Sequence, residues 1–304
     1  MQPLLVFIPA VVALVAVGWV LKRTGLMDRG DAEVLNRVIV YVSLPALIFL
    51  AVQRAALAWS LAKMPLFAIA VMLLCLAAAY AAGRILKMPP ALMGAFLLVA
   101  AMGNTGYLGF PLTIGLLGQA SLVKSVFYDF GTVALLFSLG VMAAEHYGDP
   151  EHRSNVWREF LLFPSVIALA AGLLLHPVAV PGFLVKALEY ASAATVPLIM
   201  LAVGLTLEGK RIGRYALPLT AVVAIKLILS PLAAYAAARA GGLPPLDLNV
   251  VVLEASMPAV MLSLVVGLKY KLDVEFISLA IVATIIASLV TIPAAQAVLR
   301  LFTA

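Results

Sequence analysis

Ten runs of apolar residues, each about as long as a bilayer-spanning helix, divide this 304-residue chain. They fall at about 3–22, 35–53, 64–86, 91–118 and 121–144, then at 160–176, 185–207, 215–238, 248–268 and 275–301. The hydrocarbon core of a bilayer takes about 20 helical residues to cross, so the pattern predicts an all-α membrane protein of ten transmembrane helices. The longest polar stretch, EHYGDPEHRSNVWRE at 145–159, separates residues 1–144 from 160–304 and reads as a connector between two five-helix halves. The first run is followed by Lys22 and Arg23 rather than by a small-residue cleavage site, which predicts a retained helix and not a signal peptide.

Composition agrees and adds an orientation. Hydrophobic residues make up 65% and charged residues 11%, against about half and a quarter in soluble domains. The net charge of +6 does not form a basic stripe for nucleic acid, because Lys and Arg sit in short loops between the runs. Odd-numbered loops carry 13 of them and even-numbered loops with the termini carry 6, leaving Lys226 inside the eighth run. Basic loops stay cytoplasmic, so the expectation is a multi-pass inner (plasma) membrane protein with a cytoplasmic connector and both termini extracytoplasmic. Cys75 is the single cysteine and lies within a run, which leaves no intrachain disulfide. His146, His152 and His176 fall in loops or at a helix end with no metal-binding spacing and no Ser–His arrangement in the membrane, so neither an enzyme nor a cofactor is expected.

An internal repeat is visible. AAAYAAGRILKMPP at 77–90 matches LAAYAAARAGGLPP at 232–245, so that Tyr80, Arg84, Pro89 and Pro90 recur 155 residues later as Tyr235, Arg239, Pro244 and Pro245. LPALIFLAV at 44–52 likewise resembles VPLIMLAVG at 196–204. A unit of five crossings enters its second copy from the opposite side of the membrane, which is the inverted repeat of many secondary transporters.

Two runs carry candidate chemistry. In the fourth, MGNTGYLGFPLTIGLLG at 102–118 holds Gly103, Gly106, Gly109 and Pro111 close together. A small-residue packing face accounts for the glycines but not for Asn104, Thr105 and Pro111 beside them. Broken backbone at membrane depth is tolerated only where protein buries it or a wet cavity adjoins it. In the ninth, LEASMPAVMLS at 253–263 places Glu254, Ser256 and Pro258 near the centre. An ionisable group there costs at least about 2.5 kcal/mol and turns toward a partner or a water-filled path. Asp129 shares a helical face with Ser125 and Thr132 and could join Glu254 and Asn104 around a cation or proton. Lys226 is too deep to reach water and is expected to pair with Glu254 or Asp129, whereas Lys124, near a helix start, is expected to snorkel.

GNTGYLGFP at 103–111, the proline of SLPALIF at 43–49 and EASMPA at 254–259 resemble the auxin efflux carrier family, which includes plant auxin exporters and bacterial carriers linked to malonate and similar carboxylates. The resemblance covers essentially the whole chain. It implies two inverted five-helix repeats with broken, crossed fourth and ninth helices, a scaffold domain, a transport domain and elevator-type alternating access. The long cytoplasmic loop of the plant members is replaced here by about fifteen residues, so regulation through it is not carried over. At such a crossing two positive and two negative half-helix ends meet, and Pro111 and Pro258 suit the first turn of the second half-helices. Free N–H groups there would face an anion.

The resulting expectation is a secondary transporter of small organic anions, malonate- or auxin-like carboxylates, with a passive channel or membrane sensor as the alternative. The substrate-binding set is Asn104, Thr105, Tyr107, Pro111, Ser256 and Pro258. The coupling set is Glu254, Asp129 and Lys226, with Na⁺ at Asn104, Asp129 and Glu254 or a proton as the coupled ion. A homodimer is compatible with this reading.

Overall fold

All ten apolar runs are helical in a computed structural model that describes residues 2–149, 155–206 and 213–303. The first helix is α1 (Gln2–Arg23). It is followed by α2 (Gly30–Gln53), α3 (Trp59–Ile85), a fourth segment in two pieces, α4a (Pro90–Ala101) and α4b (Thr105–Leu117), and α5 (Gln119–Tyr147). The second half comprises α6 (Pro164–Leu174), α7 (Gly182–Thr206), α8 (Ala216–Ala240), a divided ninth segment, α9a (Pro245–Ala255) and α9b (Leu262–Lys269), and α10 (Val274–Leu299). Six of these, α2, α3, α5, α7, α8 and α10, are long and apolar enough to cross a membrane. At about 1.5 Å per residue each is 36 Å or longer. No strand occurs among the described residues.

Proline decides where these helices change register. In α2 the wide turn Ile39–Ser43 precedes Pro45, and α7 is likewise interrupted at Ala194 before Pro197, the two places that the sequence match aligns. The sixth run departs from the expected single helix. A short helix, Val156–Leu161, stops at the extended residue Phe163, and α6 restarts at Pro164 for only 11 residues. The cause is local, since proline lacks an N–H and drives the preceding residue out of helical geometry. Residues 150–154 of the connector, and Lys210 and Arg211 of the seventh loop, lie outside the described residues.

The two stretches that match in sequence, 77–90 and 232–245, also end their helices with matching hydrogen bonds. α3 ends with Leu86 N–H on Ala82 O, Met88 N–H on Gly83 O and Lys87 left-handed at φ 51°. α8 ends with Gly241 N–H on Ala237 O, Leu243 N–H on Ala238 O and Gly242 left-handed at φ 61°. Pro90 and Pro245 then open α4a and α9a, where a missing N–H is harmless.

The helices sort into two groups. α1, α2, α6 and α7 pack on one another, and α3, α4a, α5, α8, α9a and α10 form the other group. α1 approaches α7 closely because Gly18 and Gly204 face each other, and a Cβ on Gly18 would lie 3.1 Å from Gly204 Cα. α4b joins the second group through α5 and α9a and meets α1 across the seam.

Contacts between connections follow their order along the chain. At one end Arg54 pairs with Glu189 at 2.6 Å and a ring nitrogen of His176 bonds Ala55 O at 2.8 Å. Lys124 joins this set as an ion pair with Asp247 instead of reaching into water alone, linking the starts of α5 and α9a. At the other end Tyr215 donates to Asp273 at 2.9 Å, Lys271 pairs with Asp149 and Lys269 pairs with Glu159. Even-numbered connections thus meet even, and odd meet odd.

Candidate functional site

The interruptions of the fourth and ninth segments meet each other. Asn104 N–H donates to Pro258 O at 2.8 Å and Val260 N–H donates to Met102 O at 3.1 Å, an antiparallel bridge centred on Gly103 and Ala259. These bonds satisfy backbone groups that a helix break frees where no water is available. A further amide of the second break, Ala259 N–H, donates to Thr284 Oγ1 of α10 at 3.1 Å. Four helix ends therefore surround one buried junction.

Two of those ends are occupied by side chains of opposite charge. Asp129 of α5 lies at the start of α4b, where its carboxylate accepts from Thr105 Oγ1 at 2.5 Å and from the Gly106 N–H. Lys226 of α8 lies at the end of α9a, donating to Ala255 O at 3.0 Å and to Ser230 Oγ at 3.2 Å, while Ser230 Oγ donates to the same carbonyl at 2.8 Å. Each charge complements the partial charge of its helix end. Lys226 therefore does not make the expected ion pair with Glu254 or Asp129. A carbonyl left over at the end of α9a takes it instead.

Glu254 makes no ion pair among the described residues. It is wholly buried, accepts from Thr113 Oγ1 at 3.0 Å through Oε1, and leaves Oε2 without a partner, while Ser125 Oγ donates to Thr113 Oγ1 at 3.0 Å. Asp129 and Glu254 are thus held at successive levels of α4b, beside Thr105 and beside Thr113. The glycines of the fourth run make this spacing feasible. A Cβ on Gly103 would come within 3.1 Å of Lys226 Cε, one on Gly106 within 3.3 Å of Asp129 Oδ1, and one on Gly109 would overlap the Glu254 carboxylate.

The remaining candidates divide. Asn104 is buried at the junction with Nδ2 unpartnered. Thr105 is engaged by Asp129, and Ser256 turns back onto its own helix, donating to Val252 O at 2.7 Å. Tyr107 is half-buried against the apolar core. Of the two prolines, Pro111 stands in the first turn of the α-helical stretch Phe110–Leu117 as expected, whereas Pro258 falls outside the second half-helix of its segment. α4b begins at Thr105 with a wide turn to Gly109, placing Pro111 beyond it, and Pro258 lies in the non-helical linker ahead of α9b, contributing its carbonyl. The wide turn fits Pro111, which has no N–H to return to the ladder. Thr132, expected beside Asp129, bonds its own helix at Tyr128 O.

Thr113, Ser230, Ser263 and Thr284 belong to the site without having been singled out in the sequence. Ser263 in the first turn of α9b is fully buried with its hydroxyl unpartnered. The spacing of Gly109 and Thr113, four apart and so on one helical face, was the one available signal.

Helices long enough to span a membrane, broken segments meeting in their midst and buried charges turned inward define a membrane transport protein. Residues 5–295 match the family described as "Membrane transport protein", and the chain belongs to that family, the auxin efflux carrier-like one. It is 34% identical over 287 residues, 93% of its length and 94% of the relative's, to an "Uncharacterized transporter" of Methanothermobacter thermautotrophicus. An uncharacterized transporter of Methanocaldococcus jannaschii is 31% identical over 294 residues, covering 93% and 94%. A protein of Rhizobium meliloti named "Putative malonate transporter" is 28% identical over 273 residues, covering 85% and 84%. The chain is accordingly a multi-pass membrane protein of a transporter family.

Proposed function

We propose that this protein is a secondary transporter of small carboxylates, with substrate bound where the breaks of α4 and α9 cross. The observation that carries this reading is the junction itself, with the Asn104 amide nitrogen buried beside it and unpartnered. An unsatisfied buried donor costs about 1–3 kcal/mol, which a bound acceptor would recover. Because Asp129 already occupies the start of α4b, the anion is received by Asn104 Nδ2 and by the first turn of α9b with its Ser263 hydroxyl. The relative named for malonate transport favours a dicarboxylate.

The architecture in this proposal is ten crossings in two inverted repeats, at the inner membrane with both termini outside. The end chemistry shared by α3/α4a and α8/α9a supports it, as does the odd-with-odd and even-with-even meeting of connections. Each packed group draws matching helices from both halves, α1 and α2 with α6 and α7, and the rest with the rest. That division suits an elevator in which the second group moves against the first. Glu254, buried without an ion pair, is neutralised by a proton or Na⁺, and this couples transport to that ion.

Proteoliposomes preloaded with unlabelled malonate test the class. A carrier takes up labelled malonate by saturable counterflow, whereas a channel gives no counterflow and a sensor no flux.

A further inference from the structure

The seam between the two helix groups holds an apolar cavity of about 100 Å³. Val15 of α1 and Val203 of α7 form one wall, and Leu112 of α4b and Ile285 of α10 form the other. Its single polar lining residue, Ser288, spends its hydroxyl on Ile285 O at 2.7 Å. No lining side chain offers a free polar atom, and a water molecule needs two to four partners to settle in such a space. An anion is disfavoured for the same reason.

The cavity is continuous with the outer surface of the helix bundle. On its rim Val12 is 40% exposed, Ile286 57% and Leu289 47%, all on α1 and α10 and all apolar. In a membrane the medium against those residues is hydrocarbon, so the opening leads sideways into the acyl region of the bilayer rather than to water. The far wall is different, since Leu112 and Ile285 are 7% and 6% exposed. A hydrocarbon chain entering from the rim would fill space that otherwise forfeits dispersion contacts.

We propose that this cavity is a binding site for one acyl chain of a membrane lipid, inserted between the two helix groups. The occupant is defined by the dry apolar lining, by the lateral opening and by continuity with the lipid-facing surface. The cavity lies against Leu108 and Leu112 of α4b, whereas Glu254 and Asp129 lie against Gly109 and Gly106, and none of its lining residues belongs to the carboxylate site.

The full chain reconstituted in vesicles of phosphatidylcholine with a diazirine near the end of its acyl chain provides the test, with adducts mapped by mass spectrometry. Adducts are expected on buried Leu112 or Ile285 as well as on exposed Val290. Ser288→Phe fills the cavity and Val12→Trp blocks its rim without entering the packed interior. Each should lower the buried adducts severalfold and leave Val290 labelled as before. Labelling confined to exposed residues overturns the proposal, as does labelling of Leu112 and Ile285 that persists in Val12→Trp. Loss of the buried adducts on adding malonate would also overturn it, by assigning the cavity to the substrate.

Discussion

Gly109 leaves the space that the Glu254 side chain fills, and a Cβ at that position would stand 2.7 Å from Glu254 Cδ and closer still to its Oε2. The fourth segment therefore lies against the buried acid through bare backbone. Overpacking of this kind costs about 1–3 kcal/mol. Gly109→Ala should lower the thermal unfolding temperature, and Glu254→Ala should restore much of the loss whereas isosteric Glu254→Gln should not. Gly106→Ala, whose Cβ would meet Asp129 at 3.3 Å, should be milder. Equal stability of Gly109→Ala and wild type would show that the two residues are not in contact.

Lys226 and Ser230 both donate to Ala255 O, so either can satisfy it alone. Lys226→Met and Ser230→Ala should each change stability little, while the double variant leaves a buried carbonyl unpaired at a cost of about 1–3 kcal/mol beyond the sum. A double-mutant cycle by thermal unfolding reads this directly. Combining Lys226→Met with Glu254→Gln should be additive, and strong coupling there would restore the ion pair that the geometry replaces with a carbonyl contact.

If Glu254 carries the coupled proton or Na⁺, Glu254→Gln fixes the site in a neutral state. Exchange of substrate across the membrane should continue, but accumulation driven by an imposed pH or Na⁺ gradient should disappear. Flux assays with and without each gradient separate the two behaviours. Gradient-driven accumulation that survives in Glu254→Gln moves coupling to another group, with Asp129 next in line.

Much of this architecture was legible because a bilayer allows few solutions. Apolar runs of bilayer length located the helical segments except the short helix Val156–Leu161, the glycine cluster at 103–109 located the first break, and Glu254, Ser256 and Pro258 located the second. What sequence could not supply was direction around each helix end. Asp129, Glu254 and Lys226 were recognisable as buried by their depth, but which of the nearby acceptors Lys226 would choose depended on an orphan carbonyl, which has no letter of its own. The same holds for Pro258, which acts through its backbone oxygen, and for Ser263, an ordinary residue in composition that only burial marks out. Pro164 was the local signal passed over, and it shortened α6.

The central claim, that a carboxylate binds at the junction of the broken helices, rests most directly on Asn104. Asn104→Ala removes the free amide donor but leaves intact the backbone bonds that join Asn104 to Pro258 and Met102 to Val260. A hydrogen bond to a charged partner contributes about 1.5–3 kcal/mol, which corresponds to a loss of affinity of about one to two orders of magnitude. The deciding measurement is malonate affinity, by thermal shift and by concentration dependence of counterflow, in wild type and Asn104→Ala. The account predicts that affinity falls by that factor while the unfolding temperature without substrate stays near wild type. Unchanged affinity in a folded Asn104→Ala protein would contradict it and place the substrate elsewhere.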